Sequence, residues 1–270
     1  MEYELTEYLS SLVVPATSGA PKVSIVIPCY NAGLFLLDAI KSSAGQSCRD
    51  FEIVVVNDGS DDPLTLQLLA HLCKFGIKVI HSSNIGVSAA RNLGIRAAAG
   101  EFILPLDADD QLSENFLELT VAAMESEPDV GVAFGQVQLF GEISGAWLQP
   151  DFSVKRMLLE NMIVVSALFR KDDYLKIGGF RLNMVYGWED WDFWLSMVEL
   201  GRSFKKVPQA VFHYRTKSSS RDSDMKLIHK VLMFSRLIWN HKLLYMRNWF
   251  IFLSLIPRTF SDNSQKKIKQ

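Results

Sequence analysis

An α/β fold built on a mostly parallel, doubly wound sheet is what this sequence predicts, on three observations. Apolar runs of strand length alternate four times with stretches of helical periodicity between Val23 and Leu106, the order that gives βαβ units. The first two runs stop at Pro28 and at Asn57-Asp58-Gly59, residues that end strands and start turns. A hydrophobic share of 49% with 11% aromatics supplies a sizeable core and excludes a disordered chain.

Taken in order, residues 1–22 form a weakly patterned arm with Pro15, Gly19 and Pro21. Val23-Ser-Ile-Val-Ile is a buried strand, and Leu34 to Ala44 has helical spacing. Phe51 to Val56 is a second strand. In the turn after it the Ser and Asp residues are placed to cap the next helix, with Pro63 in its first turn. That helix runs from Leu64 to Lys74 and leads to a third strand, Ile77 to His81. Ser88 to Ala99 is an Ala-rich helix closed by Gly100, and Glu101 to Leu106 is the fourth strand. The second half is less regular. It predicts helices over Leu112–Glu127, Phe152–Asn161, Lys171–Ile177, this one closed by Gly178-Gly179, and Glu189–Leu200, strands over Val130–Leu139, Ile163–Arg170 and Phe204–Tyr214, and helix again from Lys226.

Net charge is −2, yet Gly201 to Gln270 carries 15 Lys/Arg against 3 Asp/Glu. A basic C-terminal part of this kind suits an anionic surface. No nucleic-acid motif accompanies it, so nucleic acid is not an expected partner. Cys29, Cys48 and Cys73 lack metal-ligand spacing and read as reduced thiols, and the acidic opening Met1-Glu-Tyr-Glu-Leu-Thr-Glu lacks the basic start of a secretory signal. Both point to the cytoplasm. The longest fully apolar run, Trp249 to Pro257, is well short of the ~20 residues of a spanning helix.

The fourth strand runs into Asp107-Ala-Asp109-Asp110, and open α/β sheets bind ligands at the carboxyl ends of their strands. Carboxylates this close repel unless a divalent cation neutralises them; Asp is also a common turn residue. Both readings stand on the tetrapeptide alone. Asp58 at the end of the second strand suits a ribose or base contact and equally a helix cap. Arg91 lies in the first turn of a helix, where the dipole disfavours it, so it meets either a phosphate, an aspartate or solvent. Neither Gly-x-Gly-x-x-Gly nor a P-loop is present, which removes those nucleotide sites.

Five segments together, in order, closely resemble the inverting family 2 glycosyltransferases with the GT-A fold. They are Val-Ser-Ile-Val-Ile-Pro28-Cys-Tyr30-Asn31, Val-Val-Asn-Asp58-Gly-Ser60, Gly86-Val-Ser-Ala-Ala-Arg91-Asn92, Leu-Asp107-Ala-Asp109-Asp110, and Lys176-Ile-Gly-Gly-Phe180 with Tyr186-Gly-Trp188-Glu189-Asp190. The resemblance covers about Val23 to Arg215. It implies a single GT-A domain over 23–217 whose central, mostly parallel sheet is flanked by helices, followed by a basic helical extension over 218–270. It also implies a nucleotide-sugar donor, a UDP-sugar, a glycan or lipid-linked acceptor, and Mn²⁺ or Mg²⁺. Pro28, Tyr30, Asn31 and Asp58 fall at the nucleotide, Arg91 near the diphosphate or the acidic turn, and Asp107 at donor and metal. By the same resemblance Asp109 would be the principal metal ligand and Asp190 would fall where the family places its catalytic base, with Glu189 as its neighbour.

His213 and Arg215 stand where a third metal ligand or a phosphate contact would come from across the site, although a strand-end histidine is also an ordinary packed group. Two other classes remain on the residues alone. Asp107-Ala-Asp109 also fits the nucleophile loop of a haloacid-dehalogenase-like phosphatase, although Gln111 and the position on a fourth strand depart from it. A non-catalytic sugar-nucleotide-binding protein is the other. In the C-terminal segment, Leu227, Val231, Phe234 and Ile238 recur at helical spacing among Lys230, Arg236, Lys242 and Arg247. That segment either packs on the domain or lies peripherally on an anionic inner leaflet.

Overall fold

The computed structural model describes residues 19–218 and 224–250. The arm before Gly19, most of the serine-rich loop after Lys217 and the apolar run beyond Phe250 lie outside them. In chain order the elements are β1 (Val23–Cys29), α1 (Leu34–Ala44), β2 (Phe51–Asp58), α2 (Pro63–Lys74), β3 (Lys78–Ser82), α3 (Val87–Ala97) and β4 (Phe102–Pro105). After them come β5 (Gln111–Leu112), α4 (Phe116–Ser126), β6 (Val130–Gly141), β7 (Gly145–Trp147), α5 (Val154–Met157), β8 (Leu168–Arg170), α6 (Lys171–Ile177), α7 (Glu189–Glu199), β9 (Ser203–Thr216), α8 (Leu227–Asn240) and α9 (Lys242–Arg247).

One sheet carries the strands in the order β3-β2-β1-β4-β8-β6-β9-β5, with β7 paired to β6. Strands β1 to β4 are mutually parallel, β8 is antiparallel to β4, and the long β6–β9 ladder is again parallel. Period-two alternation splits the core into two layers. Val23, Ile25, Ile27 and Cys29 of β1 face α1 and α2, whereas Val26 faces α3, α6 and α7. Gly94 lets α3 approach the sheet, because a Cβ there would overlap the side chains of Val26 and Val56.

Several local expectations hold in detail. Asp62 caps α2 by accepting from Thr65 N at 2.7 Å, with Pro63 at the first helical position. Gly178 closes α6 in the left-handed conformation that glycine adopts at little cost.

The second half needs correction. The helix expected over Phe152–Asn161 is one turn, Val154–Met157, and the strand expected over Ile163–Arg170 shrinks to Leu168–Arg170. Its apolar residues are buried as loop: the carbonyl of Ile163 accepts from Trp194 Nε1 at 3.1 Å instead of joining a ladder. Leu112 is not helical but pairs with Phe212 in β5, so α4 begins at Phe116. An apolar run reports burial, and burial alone does not distinguish these states. The β7 hairpin was not anticipated.

The start of the C-terminal extension packs on the domain. Met233, Leu237 and Tyr245 are buried in the layer around α7. His241, fully buried, lies 3.2 Å from Asp192 and 2.8 Å from Glu199, both on α7. Burial works to raise the Asp192 carboxyl, but His241, Arg181 and Asn240 outweigh it and hold it below its ordinary value. The opposite side of the two helices stays exposed and apolar. Among the described residues no helix is long and apolar enough to cross a membrane.

Candidate active site

The carboxyl ends of β1 and β2 and the start of α3 open onto a cleft of about 400 Å³. Its floor is Pro28, Cys29 and Asp58, and Tyr30 stands at the rim with 52% of its surface exposed. Gly86 to Ala90 form one wall, and Leu182, Met184 and Val185, from the loop between α6 and α7, form the other. Parallel strands place such a cleft at this edge because their connections leave a crevice there.

Asp58 is buried, and its carboxylate is already engaged. One oxygen accepts from Ser82 Oγ at 2.8 Å and Ile85 N at 2.7 Å, and the other accepts from Gly86 N at 2.8 Å. Asp58 thus fixes the loop that launches α3, while the helix after β2 is capped by Asp62 instead. Gly86, at φ +87°, takes a backbone conformation few other residues tolerate. Asn31, itself at φ +49°, ties the β1 and β2 loops together. Its Nδ2 donates to Asp61, and its Oδ1 accepts from the backbone of Asp61 and Asp62.

The acidic turn is clamped from β9. Asp110 is buried and accepts from Arg215 N at 2.8 Å. Burial, then the charges of Asp109 and Asp107, push its carboxyl well above the ordinary range. The Arg215 side chain is spent on the protein. It donates to the carbonyl of Asp109 and to Asp38, both at 2.8 Å, with its guanidinium between the rings of Phe35 and Phe140. Lys217 pairs with Asp109 at 2.6 Å. His213 packs edge-on to Phe140, and burial lowers its pKa.

Arg91 joins the two acidic segments. It is 1% exposed, pairs with Asp107 at 2.5 Å and with Glu189 at 2.7 Å, and passes over the ring of Phe180. Burial alone would pull its guanidinium down, but the two carboxylates more than offset that and hold it charged. Glu189 is 2% exposed and belongs to this pair. Its neighbour Asp190 is free of it: one oxygen accepts from Asn161 Nδ2 at 2.9 Å and the other from Trp191 N at 2.8 Å. Burial and the adjacent Glu189 push Asp190 up to about 6, against Arg91 and its two hydrogen-bond donors. Both carboxylates leave from Trp188, held at φ +65°. Backbone strain of this kind in a non-glycine residue collects at functional sites.

The donor set fits a hard divalent ion in part. Asp107 and Asp109 present carboxylate oxygens, each side chain about one-third exposed, and Mg²⁺ is commonly held by one or two carboxylates with phosphate oxygens and water completing the shell. Among the described residues no three His, Cys, Asp or Glu side chains converge on one point. The expected set of Asp107, Asp109 and His213 is therefore not a preformed cage, and phosphate oxygens would have to complete it. Asn161, Asp38 and Lys217 were not singled out in the sequence. Each is a polar residue whose partner lies far away along the chain, so only the fold brings it to the site.

A model of the family described as glycosyl transferase family 2 matches residues 24–186. An uncharacterized glycosyltransferase of Rickettsia conorii is 41% identical over 106 residues, 38% of this chain and 17% of that protein. Glycosyltransferase GlyG of Streptococcus pneumoniae is 31% identical over 147 residues, 52% of this chain and 48% of that protein. An uncharacterized glycosyltransferase of Haemophilus influenzae is 28% identical over 221 residues, 75% of this chain and 68% of that protein. The chain thus spans less than half the length of the first two. Among solved structures, S. aureus TarS 1–349 in complex with UDP-GlcNAc superposes with a TM-score of 0.70 at 18% identity, covering 90% of this chain and 76% of that one. That likeness shares the GT-A architecture, and membership sets aside the phosphatase alternative. The chain belongs to glycosyl transferase family 2.

Proposed function

We propose that the protein is an inverting glycosyltransferase that moves a sugar from a nucleoside diphosphate, UDP foremost, to a hydroxyl of a glycan or glycolipid. The Arg91 bridge carries this reading. By pairing with Asp107 and with Glu189 it draws the acidic turn after β4 and the start of α7 together at α3, the helix whose first residues wall the cleft. A donor laid along the cleft meets Pro28, Tyr30 and the Asp58-anchored loop at its base end, and the acidic turn at its diphosphate.

Asp190 takes the proton from the acceptor hydroxyl as that oxygen attacks the anomeric carbon opposite the leaving diphosphate. One displacement inverts the configuration, so no enzyme nucleophile is needed. A carboxylate with a pKa near 6 is mostly ionised at neutral pH and is a stronger base than an ordinary aspartate. Glu189 is not the base, because its charge is committed to Arg91 in a buried pair. When bound at Asp107 and Asp109, Mn²⁺ or Mg²⁺ supplies charge neutralisation for the departing diphosphate. Arg91 holds the Asp107 carboxylate in place through their ion pair.

Asp190→Asn tests this directly. The variant is expected to bind donor as the parent does while losing transfer by roughly 10²–10⁴-fold, the usual contribution of a positioned base. Full transfer by the variant contradicts the assignment. Donor binding by the parent without transfer to any of a broad set of acceptors favours a non-catalytic nucleotide-sugar-binding protein.

A further inference from the structure

We infer that the solvent-facing side of α8 and α9 is a docking surface for an anionic lipid bilayer. The inner side of these helices is used up on the protein: Met233, Leu237 and Tyr245 are buried, and Tyr245 Oη donates to the carbonyl of Leu158 at 3.0 Å. The outer side is apolar yet uncovered. Ile228 is 68% exposed, Trp239 75%, Met246 65% and Trp249 61%, with Val231 and Leu243 also open. A surface helix ordinarily turns polar residues to water.

Charge selects the occupant. From Met225 to Ser261 the sequence has no Asp or Glu and six Lys/Arg, and Lys226, Lys242 and Arg247 are exposed among the apolar side chains. Lys242 lies over the ring of Trp239 at 5.8 Å. Apolar side chains, indole rings and cations without a single carboxylate match the headgroup region of an anionic bilayer. A second copy of the same face would set cations against cations. The sequence beyond Phe250 continues in the same character, with Ile251-Phe-Leu-Ser-Leu-Ile256 followed by Lys266, Lys267 and Lys269. The other candidate occupant is the acidic opening of this chain, with Glu2, Glu4 and Glu7. The inference stands apart from the transfer reaction, although a docked enzyme meets a lipid-linked acceptor directly.

The test is sedimentation of the full chain with large vesicles of phosphatidylcholine alone or mixed with phosphatidylglycerol. Binding is expected only to the phosphatidylglycerol vesicles, falling as salt is raised. The variants Lys242→Glu/Arg247→Glu and Trp239→Ser/Trp249→Ser are each expected to bind about tenfold more weakly, with parental melting temperatures because these side chains are exposed. Absence of phosphatidylglycerol-dependent binding overturns the inference. So does binding that appears only after residues 1–18 are removed, since the arm is then the occupant, or a concentration-dependent dimer that Trp239→Ser/Trp249→Ser dissociates. None of these readouts involves turnover, so they are independent of the proposed reaction.

Discussion

Arg91 and Glu189, 98 positions apart in the chain, form an ion pair at 2.7 Å with both side chains at 2% exposure or less. The pair fastens α3 to α7 across the site, and through its second arm Arg91 also holds Asp107. Removing one partner of a buried pair leaves an uncompensated charge, which costs about 3–5 kcal/mol. Arg91→Met is therefore expected to lower stability by that amount in a denaturant titration. Glu189→Gln is expected to cost less, because Asp107 still compensates the arginine.

Asp190 carries the opposite signature. Its pKa is raised from 3.8 in the unfolded chain to about 6 in the folded one, so between these values the folded state binds more protons. Stability then falls as pH rises from about 4 to about 6, and the cost of ionising Asp190 is fully present above that window. Asp190→Asn removes this cost. At pH 7.5 the variant is expected to be more stable than the parent by on the order of 1 kcal/mol, while losing transfer. In the parent, the rate of transfer is expected to rise with pH through about 6, and that limb disappears in the variant.

Lys217 competes for the acidic turn. Its ion pair with Asp109 is partly exposed, with side chains at 37% and 32%, so Lys217→Ala is expected to change stability by under about 1 kcal/mol. A cation approaching Asp109 must displace Lys217. Titration of Mn²⁺ in the presence of a nucleoside diphosphate is expected to show a few-fold tighter binding in the variant, within the same energy range. Weaker Mn²⁺ binding in Lys217→Ala argues instead that Lys217 contacts the diphosphate.

Asp58 holds two backbone amides of this loop, those of Ile85 and Gly86. Asp58→Ala strips both of their acceptor, and because Ile85 and Gly86 are exposed water replaces it, so the expected cost is about 0.5–1.5 kcal/mol for each hydrogen bond lost. Hydrogen exchange at Ile85 and Gly86 is expected to accelerate, and donor affinity to fall with it.

Legibility in the sequence followed the locality of the signal. β1 to β4 and the helices between them were readable because each apolar run there is short, almost continuous as a parallel strand buried on both faces requires, and stops near a turn residue. The caps at Asp62 and Gly178 were readable for the same reason, since each acts within three or four positions. Ile163 to Ala167 misled because the residues are as apolar as a strand yet are buried against α7 as loop. The acidic turn was visible as a cluster, but not the separation of its members: Asp110 turns inward to Arg215, whereas Asp107 and Asp109 turn to cations. Glu189 and Asp190 are adjacent carboxylates in one helical turn, and only the fold shows that Arg91 claims the first. Arg215 read as a phosphate contact in the sequence because its partners Asp38, Phe35 and Phe140 lie far away along the chain.

A thermal-shift panel of nucleotide sugars, with and without Mn²⁺, tests the central claim most directly. At a donor concentration of about 100 Kd, binding stabilises the fold by about 2.7 kcal/mol, a shift of several degrees for a domain of this size. One nucleoside diphosphate sugar is expected to raise the melting temperature only when the ion is present, and Asp109→Asn is expected to abolish that rise. A panel in which no nucleotide sugar stabilises the protein, with or without the ion, contradicts the account.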